Sequence, residues 1–231
     1  MRLSLSVPEI VRVPVLSIES AIAHIIAELN GSAGGFNYID ATKRIKVAYK
    51  GLHNLNDLVR VAPSMAEKVG QKYNIDVVKL AAPEAFGRKT NVFDLHSRRF
   101  HYGGERDASY RAPFLFTENG IVKLYYLQPR KTALFTIEQA SCYASIIKKF
   151  LLDTEFYGEK TDIEIVDVAE RIEGQGRVTQ TFTLANVEVW EDDKIAAHLK
   201  VVREALDHIE AENLVKRKRR PLKDSDLPLF Y

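Results

Sequence analysis

The sequence predicts an α+β fold in which antiparallel strands and hairpins pack with helices in a single compact body. Three observations lead to this fold class. An Asn-Gly pair at 119–120 separates two apolar runs, two segments rich in Thr and Val follow later, and several longer segments carry apolar residues at helical spacing. Asn-Gly favours the primed turns of antiparallel hairpins, and apolar residues three and four apart indicate amphipathic helices.

The N-terminal part of the chain is predicted to start with short extended pieces at residues 2–7 and 10–16, which prolines interrupt. Ser17 is a suitable N-cap for a helix with one apolar face. Gly31 is predicted to end that helix, because glycine is common just after a helical C-terminus.

Residues 36–49 are predicted to form a hairpin, because apolar and polar residues alternate from Ile45 to Tyr49. A second helix is predicted from about residue 56 to about residue 73. Pro63 lies inside this helix and divides it into two shorter pieces, because proline removes a helical hydrogen bond.

The segment 88–111 differs from the rest of the chain, because basic and aromatic side chains alternate along it. Arginine binds phosphate groups and aromatic rings stack on bases, so this composition is typical of nucleic-acid contacts. The candidate nucleic-acid-binding residues are Arg98, Arg99, Arg106 and Arg111. The alternative is a solvated hairpin whose aromatic side chains enter the core.

The clearest hairpin is predicted over residues 113–128, around the Asn-Gly turn. Thr136 and Gln139 then form a capping box, in which each side chain pairs with the other residue's backbone amide. The helix that they begin is predicted to run to about residue 152, because apolar residues continue at helical spacing.

Two strands are predicted at residues 162–169 and 177–184, and they are expected to pair antiparallel. A last long helix is predicted from Asp193 to near Asn213. The body, residues 1–215, is therefore followed by a tail at 216–231 that has six basic residues and two acidic ones. Adjacent like charges repel, so this tail is not expected to form packed core.

The composition indicates a cytoplasmic protein. Cys142 is the only cysteine, so no disulfide can form within one chain. The N-terminal residues lack the uninterrupted apolar core of a signal peptide, and no apolar stretch is long enough to span a membrane. We therefore expect no membrane partner.

No catalytic motif is recognised, and the sequence predicts no catalytic residue, no metal site and no cofactor. One enzymatic alternative is a metal-dependent nuclease of the PD-(D/E)xK type, which would use Asp162, Glu164 and Asp167 on one strand. The lysine that this class places two residues after an acidic residue is missing there. A second alternative is a DNA-binding regulator that uses the 88–111 segment and the basic tail.

The end of the tail carries three large apolar residues in the run Asp226-Leu227-Pro228-Leu229-Phe230. This run resembles the motif of bacterial sliding-clamp-binding proteins, which reads Gln-Leu-any-Leu-Phe. Leu227, Leu229 and Phe230 match, whereas Asp226 stands where the family has Gln. The resemblance implies a non-enzymatic protein of the DNA-replication machinery, with the sliding clamp as its partner.

Among clamp-binding proteins, the length and the lack of catalytic motifs resemble SocB-like toxins of toxin–antitoxin systems. That resemblance implies inhibition of replication by occupation of the clamp. It also implies an antitoxin adaptor and the ClpXP protease as further partners. A second run at 131–135 matches the clamp motif only at Leu134 and Phe135, and core packing is the better interpretation for it.

Overall fold

The structure is a computed structural model that describes residues 3–31, 37–61 and 70–215. Its α+β architecture confirms the predicted fold class. The tail at 216–231, with the clamp-like motif, lies outside the described residues.

The helices differ in length from a single turn to 20 residues. In chain order they are α1 (Val7–Ile10), α2 (Ile18–Asn30), α3 (Ile39–Tyr49), α4 (Leu55–Val59), α5 (Gln71–Ala81), a 3-10 turn (Ala82–Ala85), α6 (Ile137–Ile147), a π-helical turn (Lys148–Leu152), α7 (Asp153–Glu155) and α8 (Asp192–Ala211).

The strands form a five-stranded sheet and a separate two-stranded ribbon. In chain order they are β1 (Asn91–Phe93), β2 (Arg98–His101), β3 (Asp107–Tyr110), β4 (Phe114–Glu118), β5 (Ile121–Gln128), β6 (Thr161–Asp167) and β7 (Gln180–Phe182). The sheet has the order β1-β4-β5-β6-β7, and β2 pairs with β3 in the ribbon.

Helices cover both faces of the sheet. One face packs with α1, α2, α6 and α8, around residues such as Leu124 and Ile163. The other face packs with α3, α4 and α5, around residues such as Phe116 and Val166. Because both faces are covered, the interior strand β6 is buried along most of its length.

Strands β5 and β6 are parallel, with Leu124 opposite Ile163. The antiparallel pairing of β6 with β7 confirms the prediction for these two strands, although β7 is shorter than the predicted 177–184. The parallel pair was not predicted. It arises because α6 and the turns after it carry the chain back across one face of the sheet.

The strongest local signals are confirmed. Asn119 and Gly120 adopt positive φ angles of 51° and 74° between β4 and β5, as a primed turn requires. The Ser17 side chain accepts a hydrogen bond from Ser20 N at 3.1 Å, which caps α2. The capping box of Thr136 and Gln139 begins α6. Helix α8 begins one residue before the predicted start at Asp193.

The predicted hairpin at 36–49 is wrong, because residues 39–49 form α3. Ala41, Ile45 and Ala48 all face the core, at the helical spacing of four and three. The same run of residues also fits strand alternation over a few positions. The helix is favoured over the strand by Asn74 on α5, which accepts a hydrogen bond from Ala41 N at 2.9 Å in the first turn of α3.

The prediction for the first residues also needs correction. The extended pieces at 2–7 and 10–16 are interrupted by α1, which Ser6 and Glu9 begin as a capping box. The helix predicted from 56 to 73 corresponds to α4 and the first turn of α5, with residues 62–69 outside the described part of the chain. In the described ranges, no helix is both long and apolar enough to cross a membrane.

Candidate functional site: a basic cleft beside the sheet

A cleft of about 1230 Å³ opens where β4 begins and β5 ends. Its walls come from the end of α2, from α3, and from the chain before β4 and after β5. Basic residues outnumber acidic ones around it. The basic residues are Lys43, Lys46, Arg111, Arg130, Lys131 and Arg177, and the acidic ones are Glu9, Glu28 and Asp94.

The floor of the cleft includes the loop 129–133 between β5 and α6, whose backbone carbonyls are bonded to other parts of the body. Pro129 O accepts a hydrogen bond from Arg177 Nη1 at 2.6 Å. Lys131 O accepts one from Glu170 N at 2.9 Å. The loop is therefore fixed to the segment that joins β6 to β7.

The buried side chain of Gln128 also holds this loop, through hydrogen bonds to its backbone carbonyls. Its Nε2 donates to Arg130 O at 3.1 Å and also to Ala133 O. Arg12 donates a further hydrogen bond to Ala133 O at 3.0 Å, and its guanidinium lies 4.6 Å from the ring centre of Phe135. Burial lowers the pKa of Arg12.

Asp167, at the end of β6, fixes the chain that leaves this loop. Its carboxylate is fully buried and accepts hydrogen bonds from Phe135 N at 2.8 Å and Ala169 N at 2.9 Å. Burial raises the pKa of Asp167, although both hydrogen bonds act in the opposite direction. These contacts make Asp167 a structural residue of the cleft floor.

Two basic side chains of the loop are open to solvent. Arg130 and Lys131 are both exposed. Lys131 forms an ion pair with Glu170 at 3.0 Å. Because the backbone of the loop is hydrogen-bonded to other parts of the body, the two residues are held in place on the cleft floor.

The opposite wall is α3. Asn74 accepts from Ala41 N and donates to Asn37 O at 2.9 Å, which positions the start of this helix. Lys46 forms an ion pair with Asp94, whereas Lys43 is exposed one turn earlier. The Asp94 pKa is lowered by its hydrogen bond with Lys46.

Four cations of the cleft form no ion pair with the described residues, but one of them, Arg177, donates hydrogen bonds to Pro129 O and Tyr38 Oη. The other three, Lys43, Arg111 and Arg130, form neither an ion pair nor a side-chain hydrogen bond with the described residues. They come from three different elements, namely α3, the segment before β4 and the loop after β5. Like charges near one another in a recess raise the local positive potential. The cleft therefore attracts anions.

The four predicted nucleic-acid-binding arginines are not brought together. Arg98 forms an ion pair with Glu155 of α7, with Nη2 and Oε2 2.9 Å apart, and Arg99 is the exposed next residue. Arg111 lies in the cleft.

Arg106 is enclosed, with only 2% of its surface exposed. Its guanidinium lies 2.7 Å from Asp207 and 2.7 Å from Glu210 on α8, and it also donates to Leu3 O at 2.8 Å. These bonds join the ribbon to α8 and the N-terminal segment. Arg106 is consequently part of the packing and is not displayed to a ligand.

The carboxylates of the nuclease alternative lie on different sides of the sheet. Glu164 is buried on the face toward α3, where it pairs with Arg88, whereas Asp167 faces α6. Asp162 accepts hydrogen bonds from Ile163 N at 2.8 Å and Leu184 N at 3.0 Å. Within the described residues, no group of three or more His, Cys, Asp or Glu side chains is placed to hold a metal ion.

The second clamp-like run, at 131–135, contributes to the core as expected. Phe135 is 1% exposed, and its ring centre lies 5.9 Å from that of Tyr126 and 6.1 Å from that of Tyr143. The single cysteine, Cys142, is also buried, and burial raises the pKa of its thiol.

Sequence reasoning identified Arg111 but missed the other residues of the cleft. The pair Arg130-Lys131, placed between a predicted strand and a predicted helix cap, was the signal that could have indicated a functional loop. Lys43 was missed because its segment was predicted as a hairpin.

Comparison with known proteins gives no match: no protein-family model, no curated protein and no solved structure shows significant similarity to this chain. Function must therefore be inferred from the residues themselves.

Proposed function

We propose that this chain is a non-enzymatic binding protein of the DNA-replication machinery, which acts in the cytoplasm and occupies the sliding clamp. The observation that carries the proposal is the match of Leu227, Leu229 and Phe230 to the clamp-binding motif. As in the SocB-like toxins that the chain resembles, occupation of the clamp inhibits replication. An antitoxin adaptor and the ClpXP protease are the partners that this proposal adds.

The chemistry of the motif suits a shallow apolar pocket. Burying three large apolar side chains contributes roughly 1.5–3 kcal/mol each. Ordering about five backbone residues costs roughly 1–2 kcal/mol each. Proline at 228 biases Leu227 to an extended conformation, which lowers part of that cost. The two contributions are of similar size, so we expect a weak contact, no tighter than micromolar.

The point where the tail leaves the body supports this proposal. Helix α8 is anchored near its C-terminal end, because Asp207 and Glu210 pair with the enclosed Arg106. The motif begins at Asp226, eleven residues after Val215. Eleven residues can span up to roughly 36–40 Å, so the motif has enough chain to reach a partner without rearrangement of the body.

The experiment that tests the proposal measures binding of the full-length protein to purified sliding clamp by isothermal titration calorimetry. Leu229→Ala with Phe230→Ala removes most of the apolar area of the motif, so binding is expected to vanish. Asp226→Gln restores the family residue and is expected to tighten binding, because an amide can both donate and accept.

Leu222→Ala is the matched control, since it removes an apolar tail residue outside the motif. The control should bind the clamp as the wild type does. Growth inhibition on overexpression should be lost only in the double variant. If the wild type has no affinity for the clamp, or the double variant binds equally well, the proposal is wrong.

A further inference from the structure

We propose that the basic cleft binds single-stranded nucleic acid, with Lys43, Arg111 and Arg130 contacting its phosphates. This inference goes beyond the proposed clamp contact, because it assigns a second binding site to the body. It does not depend on the tail motif.

The first support for the proposal is the excess of basic over acidic residues around the cleft. The cleft holds six basic and three acidic residues, whereas the body as a whole has two more acidic than basic residues. Positive charge is therefore concentrated in the cleft, although the body as a whole has a net negative charge. Lys43, Arg111 and Arg130 carry charges that no described acidic residue neutralises by an ion pair. A ligand with several negative charges satisfies all three.

The second support for the proposal is that the backbone of the loop carrying Arg130 is held by hydrogen bonds. Gln128, Arg12 and Arg177 hold the loop after β5 through its carbonyl oxygens. A loop without such bonds would have to be ordered when the ligand binds, and that ordering would reduce affinity. Here the site is formed in advance, as is expected of a binding site.

The spread of the cations indicates a chain of phosphates. A mononucleotide site gathers its phosphate donors at one place, commonly the start of a helix or a glycine-rich loop. In this cleft the cations come from three separate elements on two walls. The volume of about 1230 Å³ also exceeds the roughly 300–1,000 Å³ of small-molecule sites. Spaced cations in a large recess suit a polymer with regularly spaced phosphates.

The recess itself favours a single strand over a duplex. A flexible single strand can enter a cleft and place its bases against the walls. A duplex is rigid and convex, so it can reach only the rim. One aromatic residue, Tyr73, which is 48% exposed, also lines the cleft.

The test measures fluorescence anisotropy of a labelled oligo-dT of about twelve nucleotides with the full-length protein. All proteins carry glutamine at the five basic tail positions 216–220, because that run binds nucleic acid by charge alone. The cleft variant combines Lys43→Gln, Arg111→Gln and Arg130→Gln. The control variant combines Lys79→Gln, Lys89→Gln and Lys160→Gln, which are exposed, lie outside the cleft and carry the same total charge.

The cleft variant should lose at least about tenfold in affinity at low salt, and its salt slope should fall by about 2, since each single-strand phosphate contact contributes about 0.7. The control variant should lose less than about threefold. Clamp binding should be unchanged in both, which separates this inference from the proposed function. If the cleft variant proves unstable, a single substitution at an exposed position replaces it. Lys43→Glu in the cleft should then weaken oligo-dT binding more than Lys79→Glu outside it.

Several results would overturn the proposal. Equal losses in the cleft and control variants would mean that binding follows net charge only. Duplex DNA bound as tightly as oligo-dT would mean that the ligand is not a single strand. A polyglutamate peptide that displaces oligo-dT at an equal charge concentration would mean that the cleft takes acidic proteins instead.

Discussion

The guanidinium of Arg88 pairs with the buried carboxylate of Glu164, with Nη2 and Oε2 2.8 Å apart. The same Nη2 lies 2.7 Å from Oε2 of Glu118. Glu118 ends β4 and Glu164 lies on β6, so one arginine links two strands across the intervening β5. Tyr49 of α3 donates a hydrogen bond to Glu164 and completes the cluster.

The first prediction concerns the removal of this arginine. Arg88→Ala leaves Glu164, which is 3% exposed, without its ionic partner. Breaking a buried ion pair from one side costs about 3–5 kcal/mol, and we expect a loss of that size in the free energy of unfolding measured with urea. Lys89→Ala, at the neighbouring exposed position, should change it by less than about 0.5 kcal/mol. A loss below about 1 kcal/mol for Arg88→Ala would contradict this role.

The second prediction concerns acid stability. Hydrogen bonding from Arg88 lowers the pKa of Glu118 to about 2, from an ordinary value of 4.5. The folded state therefore binds this proton more weakly than the unfolded state. The stability from Glu118 is present above pH 4.5 and is lost as the pH falls from there toward 2.

Glu118→Gln removes that titration. The free energy of unfolding, measured at several pH values, should fall less steeply in the variant than in the wild type between pH 4.5 and 2. Glu173→Gln, an exposed glutamate, is the control and should keep the wild-type slope. Parallel curves for Glu118→Gln and the wild type would show that Glu118 is not the group responsible.

The third prediction concerns the support of the cleft floor. Asp167 accepts two backbone hydrogen bonds, one through each carboxylate oxygen. Asp167→Asn keeps the size but retains only one oxygen, so the amide of Phe135 or Ala169 loses its partner. An unsatisfied buried donor costs about 1–3 kcal/mol, which should appear in thermal or urea unfolding. Oligo-dT affinity should fall as well, because the loop that carries Arg130 is no longer held. Unchanged stability would contradict the structural assignment of Asp167.

The fourth prediction separates the arginines of the ribbon. Arg106→Ala removes the partner of Asp207 and Glu210 and should cost about 2–4 kcal/mol in unfolding free energy. Arg98→Ala with Arg99→Ala changes exposed or half-buried side chains and should cost less than about 1 kcal/mol. If these two arginines contact nucleic acid, the double variant should also bind it more weakly and with a flatter salt dependence. Equal destabilisation by both sets of changes would contradict the difference in their burial.

Much of the fold could be predicted, because the signals that specify it are local. The Asn119-Gly120 turn and the caps at Ser17 and Thr136 depend on residues next to one another in the sequence. Such signals require no knowledge of distant partners. They fixed the β4–β5 hairpin and the starts of two helices.

The parts that could not be predicted depend on distant contacts. α3 is held by Asn74, 33 residues beyond Ala41, and a short segment with mixed periodicity does not reveal this partner. From the sequence alone, Arg106 is expected to be an exposed cation, because its partner Asp207 lies 101 residues later in the chain. The cleft is built from segments that the sequence separates by up to about 170 residues, so its basic residues look like isolated surface charges.

The bonds of Arg106 also determine when this protein can finish folding during its synthesis. The acidic partners on α8 are translated about a hundred residues after the arginine, and Leu3, which also binds it, is translated about a hundred residues before it. In a nascent chain that has emerged only through β7, Arg106 does not yet have its acidic partners Asp207 and Glu210. The apolar surface against which α8 packs is also uncovered in that chain. Apolar surface of this kind is what chaperones bind, and it is covered only when α8 leaves the ribosome.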